Sequence, residues 1–146
     1  MSREKRVLVV DDDDAIRSLV TTVLKRRGLV VDTARNGLEA IERLHACRYV
    51  LILLDLMMPG LNGWDVLDHL ESLPARERPI AVVLTAGTEP RTFKPDVVAG
   101  LVRKPFDLDM LVDTVVGCLA ALDALEQDVR CPEPDAEALR RRDELN

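Results

Sequence analysis

Three carboxylates, a hydroxyl and an amine stand at the ends of strand-like apolar runs that lie far apart in the chain. Val7-Leu8-Val9-Val10 ends in Asp11-Asp12, and Val50-Leu51-Ile52-Leu53-Leu54 ends in Asp55. Ala81 to Leu84 ends in Thr85, and Gly100 to Arg103 ends in Lys104-Pro105. In an open α/β sheet, ligands bind in the crevice beyond the carboxyl ends of the strands, so these groups are expected to converge there. Carboxylates packed that closely repel one another, and a divalent cation relieves the repulsion. Magnesium takes oxygen ligands in octahedral geometry and keeps several waters, which leaves room for phosphate oxygens. A carboxylate such as Asp55 can accept a phosphoryl group as nucleophile. The metal and Lys104 would then neutralise the transferred oxygens, with Thr85 as a neutral donor. The pattern is that of a phosphoryl and metal site.

Positioning such a site requires short buried strands alternating with amphipathic helices, and the chain reads that way. Strands are expected over residues 6–10, 29–33, 50–54, 80–84 and 100–103. The run at 50–54 is wholly apolar and suits the centre of a sheet covered on both faces. Asp13 or Asp14 caps a first helix whose apolar positions are Ile16, Leu19, Val20, Val23 and Leu24. Lys25, Arg26 and Arg27 suit its C-terminal dipole, and Gly28 stops it. Asn36-Gly37 opens a second helix with Leu38, Ile41 and Leu44 on one face. After turns at Pro59-Gly60 and Asn62-Gly63, a third helix carries Trp64, Leu67, Leu70 and Leu73. The last helix spans about residues 108–125, with Leu111, Val112, Val115, Leu119 and Leu122 facing inward. Between Thr85 and Gly100, Pro90 and Pro95 interrupt the expected fourth crossover helix, which is predicted to be short, displaced or replaced by a loop.

Size and composition restrict the function classes. The 146 residues fit one domain, and the 47% hydrophobic content is enough for a packed core. Aromatics make up only 3%, so aliphatic side chains must fill it. A formal charge of -6 argues against a nucleic-acid surface. No apolar run is long enough to span a bilayer, and residues 1–6 lead straight into the first strand without a signal region. Cys47, Cys118 and Cys131 lack metal or redox spacing, and an odd count without a disulfide framework fits a reducing cytoplasm. Cys47 and Cys118 are expected to fill helix faces. His45, His69 and the Arg140-Arg141-Arg142 run are expected to be ordinary surface residues, and Trp64 a packing residue close enough to Asp55 to report on it.

The acids, threonine and lysine, in this order and on these elements, closely resemble the receiver domain of two-component response regulators. The resemblance covers about residues 6–125. It rests on Val7 to Asp13, on Asp55 with Met58-Pro59-Gly60 and Asn62-Gly63, on Leu84-Thr85-Ala86, and on Lys104-Pro105-Phe106. It implies an α/β fold with a doubly wound five-stranded parallel sheet, flavodoxin-like, (βα)5, in strand order 2-1-3-4-5. A receiver over 1–125 would be followed by a charged tail over 126–146. The resemblance also implies that Asp55 takes its phosphoryl group from a sensor histidine kinase or a histidine phosphotransfer protein. Asp12 would bind Mg²⁺ directly, Asp11 through water, and the Met57 backbone carbonyl would be a further ligand. Thr85 and Lys104 would hold the phosphoryl oxygens. Ala15, Ile16 and Leu19, with the Pro105-Phe106-Asp107 loop, would dock the kinase. Such a protein is a phosphoacceptor rather than an enzyme. It would signal through a downstream effector protein, without a DNA-binding output domain, and dimerisation stays open.

The chain departs from the family pattern in two places. An aromatic residue is common in the fifth strand, three before the lysine, and here that position is Leu101. Met57 and Gly87, which flank the phosphoryl site, offer no polar side chain to orient water, so slow self-dephosphorylation is expected. Two other readings remain. One is a receiver fold kept as a non-phosphorylated scaffold, against which the complete acid, threonine and lysine set argues. The other is a Mg²⁺-dependent aspartyl-phosphate phosphohydrolase, which commonly carries a second acid two residues after the nucleophile, where this chain has Met57.

Overall fold

The computed structural model describes residues 5–58, 62–86 and 93–129, with side chains described as far as residue 123. Pro59-Gly60, Gly87, Pro90, Cys131 and the remainder of the expected tail, residues 130–146, lie outside that description. The elements follow one another as β1 (Arg6–Val10), α1 (Asp14–Arg26), β2 (Val30–Ala34), α2 (Gly37–Ala46), β3 (Leu51–Asp55), α3 (Gly63–Ser72), β4 (Ile80–Thr85), β5 (Val98–Arg103) and α4 (Leu108–Val129), with a 3-10 turn at Ala75–Glu77. All strand pairs are parallel, in the order β2-β1-β3-β4-β5. The chain leaves β1 for one edge of the sheet and then crosses to β3, which opens a crevice between the carboxyl ends of β1 and β3.

Strand alternation sorts the core into two layers, because successive side chains point to opposite faces. Val7, Val9, Leu51, Leu53, Val82, Leu84 and Val102 pack with Val20 and Leu24 of α1 and Leu111, Val112 and Val115 of α4. Leu8, Val10, Ile52, Leu54, Ala81 and Val83 pack with Ala40 of α2 and Val66, Leu67 and Leu70 of α3. Every β3 residue is buried, as its unbroken apolar run requires.

The helix ends follow local chemistry. Asp13 caps α1, its side chain accepting from the Ala15 and Ile16 N–H groups. Asn36 caps α2, and Asn62 with Asp65 closes a capping box at α3. Gly28, at φ 84°, lets the chain turn out of α1. Not every expected apolar position faces inward. Leu19 and Leu38 are 55% and 59% exposed, because α1 and α2 rest on stripes only two or three side chains wide. Cys47 stands exposed at the C-cap of α2 rather than filling a helix face. Helix α4 runs to Val129, four residues past the expected end, through a stretch free of Gly and Pro.

Among the described residues, the connection from β4 to β5 contains no helix. It closes with a turn in which the Val97 and Val98 N–H groups donate to the Lys94 carbonyl, and Pro95 presets the backbone of that turn. Ahead of the turn, Phe93 stacks on Trp64 of α3, ring centroids 5.1 Å apart and planes 3° from parallel. A bulge at Ala81/Val82 sets the register of β5, which places Leu101 opposite Val83. Leu101 is 52% exposed among the described residues.

Gly63 holds α3 against the central strand. A Cβ there would meet the Asp55 carbonyl oxygen and the Leu56 Cα at 2.6 Å, and both are backbone atoms. Gly63→Ala is therefore expected to destabilise the fold by about 1–3 kcal/mol in urea unfolding. A loss under about 0.5 kcal/mol would show that α3 can back away from β3.

Candidate functional site

Asp11 and Asp12 follow β1 and Asp55 ends β3, so the register of the two strands sets the acids beside one another. One oxygen from each of the three lies within 4.8 Å of the others. Asp11 and Asp55 are each only 1% exposed, and Asp12 faces solvent. Backbone donors fix one side of each buried carboxylate: Asp11 Oδ1 accepts from the Asp13 N–H at 2.9 Å, and Asp55 Oδ1 from the Met57 N–H at 3.0 Å. Neither Oδ2 accepts a hydrogen bond.

Lys104 supplies the cation. Its Nζ lies 3.1 Å from Asp55 Oδ2 and 3.8 Å from Asp11 Oδ2, close enough for ion pairing but misdirected for a hydrogen bond. Thr85, at the end of β4, is buried, and its carbonyl accepts from the Lys104 N–H at 2.8 Å, which joins the threonine and lysine loops. The five groups picked out in the sequence thus gather at one end of the sheet. The fourth expected metal ligand, the Met57 carbonyl, belongs to the residue whose N–H already binds Asp55, and the Met57 side chain is 64% exposed. Gly87 lies outside the described residues.

Arg17 belongs to this site and the sequence reading did not include it. Its guanidinium donates from Nη1 to the Asp11 carbonyl at 2.9 Å and pairs through Nη2 with Asp14, so it clamps the loop between β1 and α1. Its place in the first turn of α1 was the available signal, since helical side chains lean toward the N-terminus and a long one there can reach back over the preceding loop.

Three carboxylates beside one ammonium leave an excess of two negative charges when all are ionised, which is what one divalent cation cancels. The donors are oxygens only, and two buried oxygens accept no hydrogen bond, so the set fits a hard ion such as Mg²⁺. Burial pushes the Asp11 carboxyl up to about 6. Asp55 and Asp12 add to that rise, while the Asp13 N–H and Lys104 oppose it.

The model of the response regulator receiver domain family matches residues 7–116. Response regulator MprA of Mycobacterium avium is 37% identical over 141 residues, covering 92% of this chain and 56% of that protein. DNA-binding response regulator MtrA of Mycolicibacterium smegmatis is 38% identical over 118 residues, covering 76% and 49%. The chain spans about half the length of these two curated relatives. Among solved structures, response regulator protein TrrA of Thermotoga maritima is similar at 33% identity. It superposes with a TM-score of 0.66 in its complex with Mg(2+)-BeF and 0.65 in its complex with histidine kinase ThkA. Both cover 77% of this chain and 97% of TrrA.

A raised carboxylate pKa has a defined linkage sign. Between the ordinary value of 3.8 and about 6 the folded chain holds a proton at Asp11 that the unfolded chain has lost, so this group's contribution to stability falls as pH rises through that window. Asp11→Asn is expected to raise the melting temperature by several degrees at pH 7 in EDTA, with the gain disappearing below about pH 4. A gain that persists at pH 3.5, or no gain at pH 7, would contradict the burial penalty.

Proposed function

Because the chain belongs to the family of response regulator receiver domains, we propose that it accepts a phosphoryl group on Asp55 from a phosphohistidine and passes the signal on by protein contact. Receiver domains are phosphoacceptors that bind Mg²⁺ in an acidic pocket. One observation carries the assignment to Asp55: its Oδ2 is buried, accepts no hydrogen bond and faces the Lys104 ammonium at 3.1 Å. An oxygen in that state has a lone pair to give and a cation beside it to receive the transferred charge.

The Met57 N–H holds Oδ1 and so fixes which oxygen reacts. As Oδ2 forms its bond to phosphorus, the bond from phosphorus to the donor's ring nitrogen breaks, and the electron pair leaves with the imidazole. Lys104 follows the charge from the carboxylate onto the phosphoryl oxygens, and Thr85 stands at the adjoining strand end to donate to one of them. Asp11, Asp12, Asp55 and the Met57 carbonyl would hold Mg²⁺, which when bound supplies further neutralisation of those oxygens. Arg17 keeps the acid loop in place.

A sensor histidine kinase or a histidine phosphotransfer protein is the donor that this chemistry calls for, and the neighbouring TrrA structure is itself a kinase complex. The start of α1 and the loop before α4 would meet it, through exposed Ala15 and Leu19 and half-buried Ile16 and Phe106. The downstream partner is an effector protein.

Incubation with Mg²⁺ and a small acyl phosphate is expected to add one phosphoryl group to the wild type in intact-mass measurements and none to Asp55→Asn. Lys104→Ala is expected to slow the gain by roughly 10²-fold. Addition of the group to Asp55→Asn would assign the acceptor elsewhere. Met57→Asn is expected to speed loss of the group, since it brings a polar side chain to a position that now holds none. Unchanged decay would remove Met57 from the control of lifetime.

A further inference from the structure

The chain has two histidines, 24 residues apart, and the fold brings them together. His45 lies in the last turn of α2 and His69 in the last turn of α3. Their ring centroids are 5.2 Å apart and the planes are tilted by 55°. Two imidazoles that share a tetrahedral ion through bonds of about 2.0–2.1 Å hold their ring centres roughly 5 Å apart. The observed separation therefore suits a shared ion as well as it suits simple packing. His45 is exposed, which leaves the pair open to solvent. Burial, and then the nearby His45, hold the His69 imidazole below its ordinary value, so its lone pair is free at neutral pH.

We propose that His45 and His69 form a bis-imidazole site for a divalent transition ion of the zinc class. The site is distinct from the acid cluster in place and in chemistry. Helices α2 and α3 run antiparallel to the strands, so their C-termini lie at the end of the sheet opposite Asp55. Neutral imidazole selects Zn²⁺, Co²⁺ or Ni²⁺ over Mg²⁺, whereas an all-oxygen set favours the hard ion. Among the described residues no third acid, histidine or thiol joins the pair in a compact trio, so water fills the remaining positions. An ion held between two helices binds the folded chain in preference to the unfolded one and stabilises it by mass action.

The test titrates Co²⁺ into the full chain in excess Mg²⁺, which keeps the acid cluster occupied. One equivalent of Co²⁺ is expected to bind with the visible absorption of a tetrahedral nitrogen site, and Zn²⁺ to displace it. His45→Gln and His69→Gln should each weaken binding at least roughly tenfold. Cys47→Ser, at the exposed thiol two residues beyond His45, should leave binding unchanged. Zn²⁺ should raise the melting temperature of the wild type and not of the double histidine variant. The proposal is overturned if wild type gives no such spectrum, if binding survives both histidine substitutions, or if Cys47→Ser abolishes it.

Discussion

Two carboxylates buried side by side, with one ammonium between them, are the constraint on which the rest of this structure depends. Removing an ionised group from water costs several kcal/mol unless partners replace the lost hydration. The chain supplies some of those partners with its backbone. The Asp13 and Met57 N–H groups each take one carboxylate oxygen, and both lie two residues past the acid they serve. Lys104 supplies the charge and Arg17 the loop geometry. What stays unmet is an excess of negative charge and two oxygens without a hydrogen bond. Burial first, and the neighbouring Asp55 after it, push Asp11 toward its protonated form, and the unmet charge makes the place receptive to cations and phosphoryl groups. The aliphatic layers on either side of β3 offset the cost.

The same acids reach the rest of the molecule through close backbone contacts. Gly63 touches the Asp55 carbonyl, and the next residue is Trp64, which stacks on Phe93 in the connection between β4 and β5. That connection begins just after Thr85. The stack therefore ties together two segments that both leave the site, and it stands near where a crossover helix is expected in this fold. Among the described residues, Leu101 of β5 is half open to solvent.

Away from the site, Asp32 and Arg78 find their partners among the described residues. Asp32 accepts from Arg6 and from the Tyr49 hydroxyl, and those bonds hold its carboxyl below the usual range, that from Tyr49 most of all. Arg78 donates to three carbonyls at the end of α3. Charge there is paired or spent on helix ends, whereas at the carboxyl end of the strands it is left in excess. In a parallel α/β sheet this asymmetry is what separates an end that binds from an end that holds.

Strand positions, the central place of β3, the cap of α1, the openings of α2 and α3 and the five groups at the strand ends were legible in the sequence. Each is set by a local rule: an apolar run, a capping side chain, or a carboxylate where a strand must stop. The weakness of the fourth crossover was also legible, because proline acts on its own backbone. Which face of α1 and α2 is buried was only partly so: Leu19 and Leu38 fit the helical period yet lie outside, since packing partners rather than spacing decide how wide the buried stripe is. The reach of Arg17 back to the Asp11 carbonyl, the contact of Gly63 with Asp55, the stacking of Phe93 on Trp64 and the meeting of His45 with His69 were decided by the tertiary structure. Local chemistry determines what each residue can do, but contacts between distant residues exist only after register and helix packing have chosen which of them become neighbours.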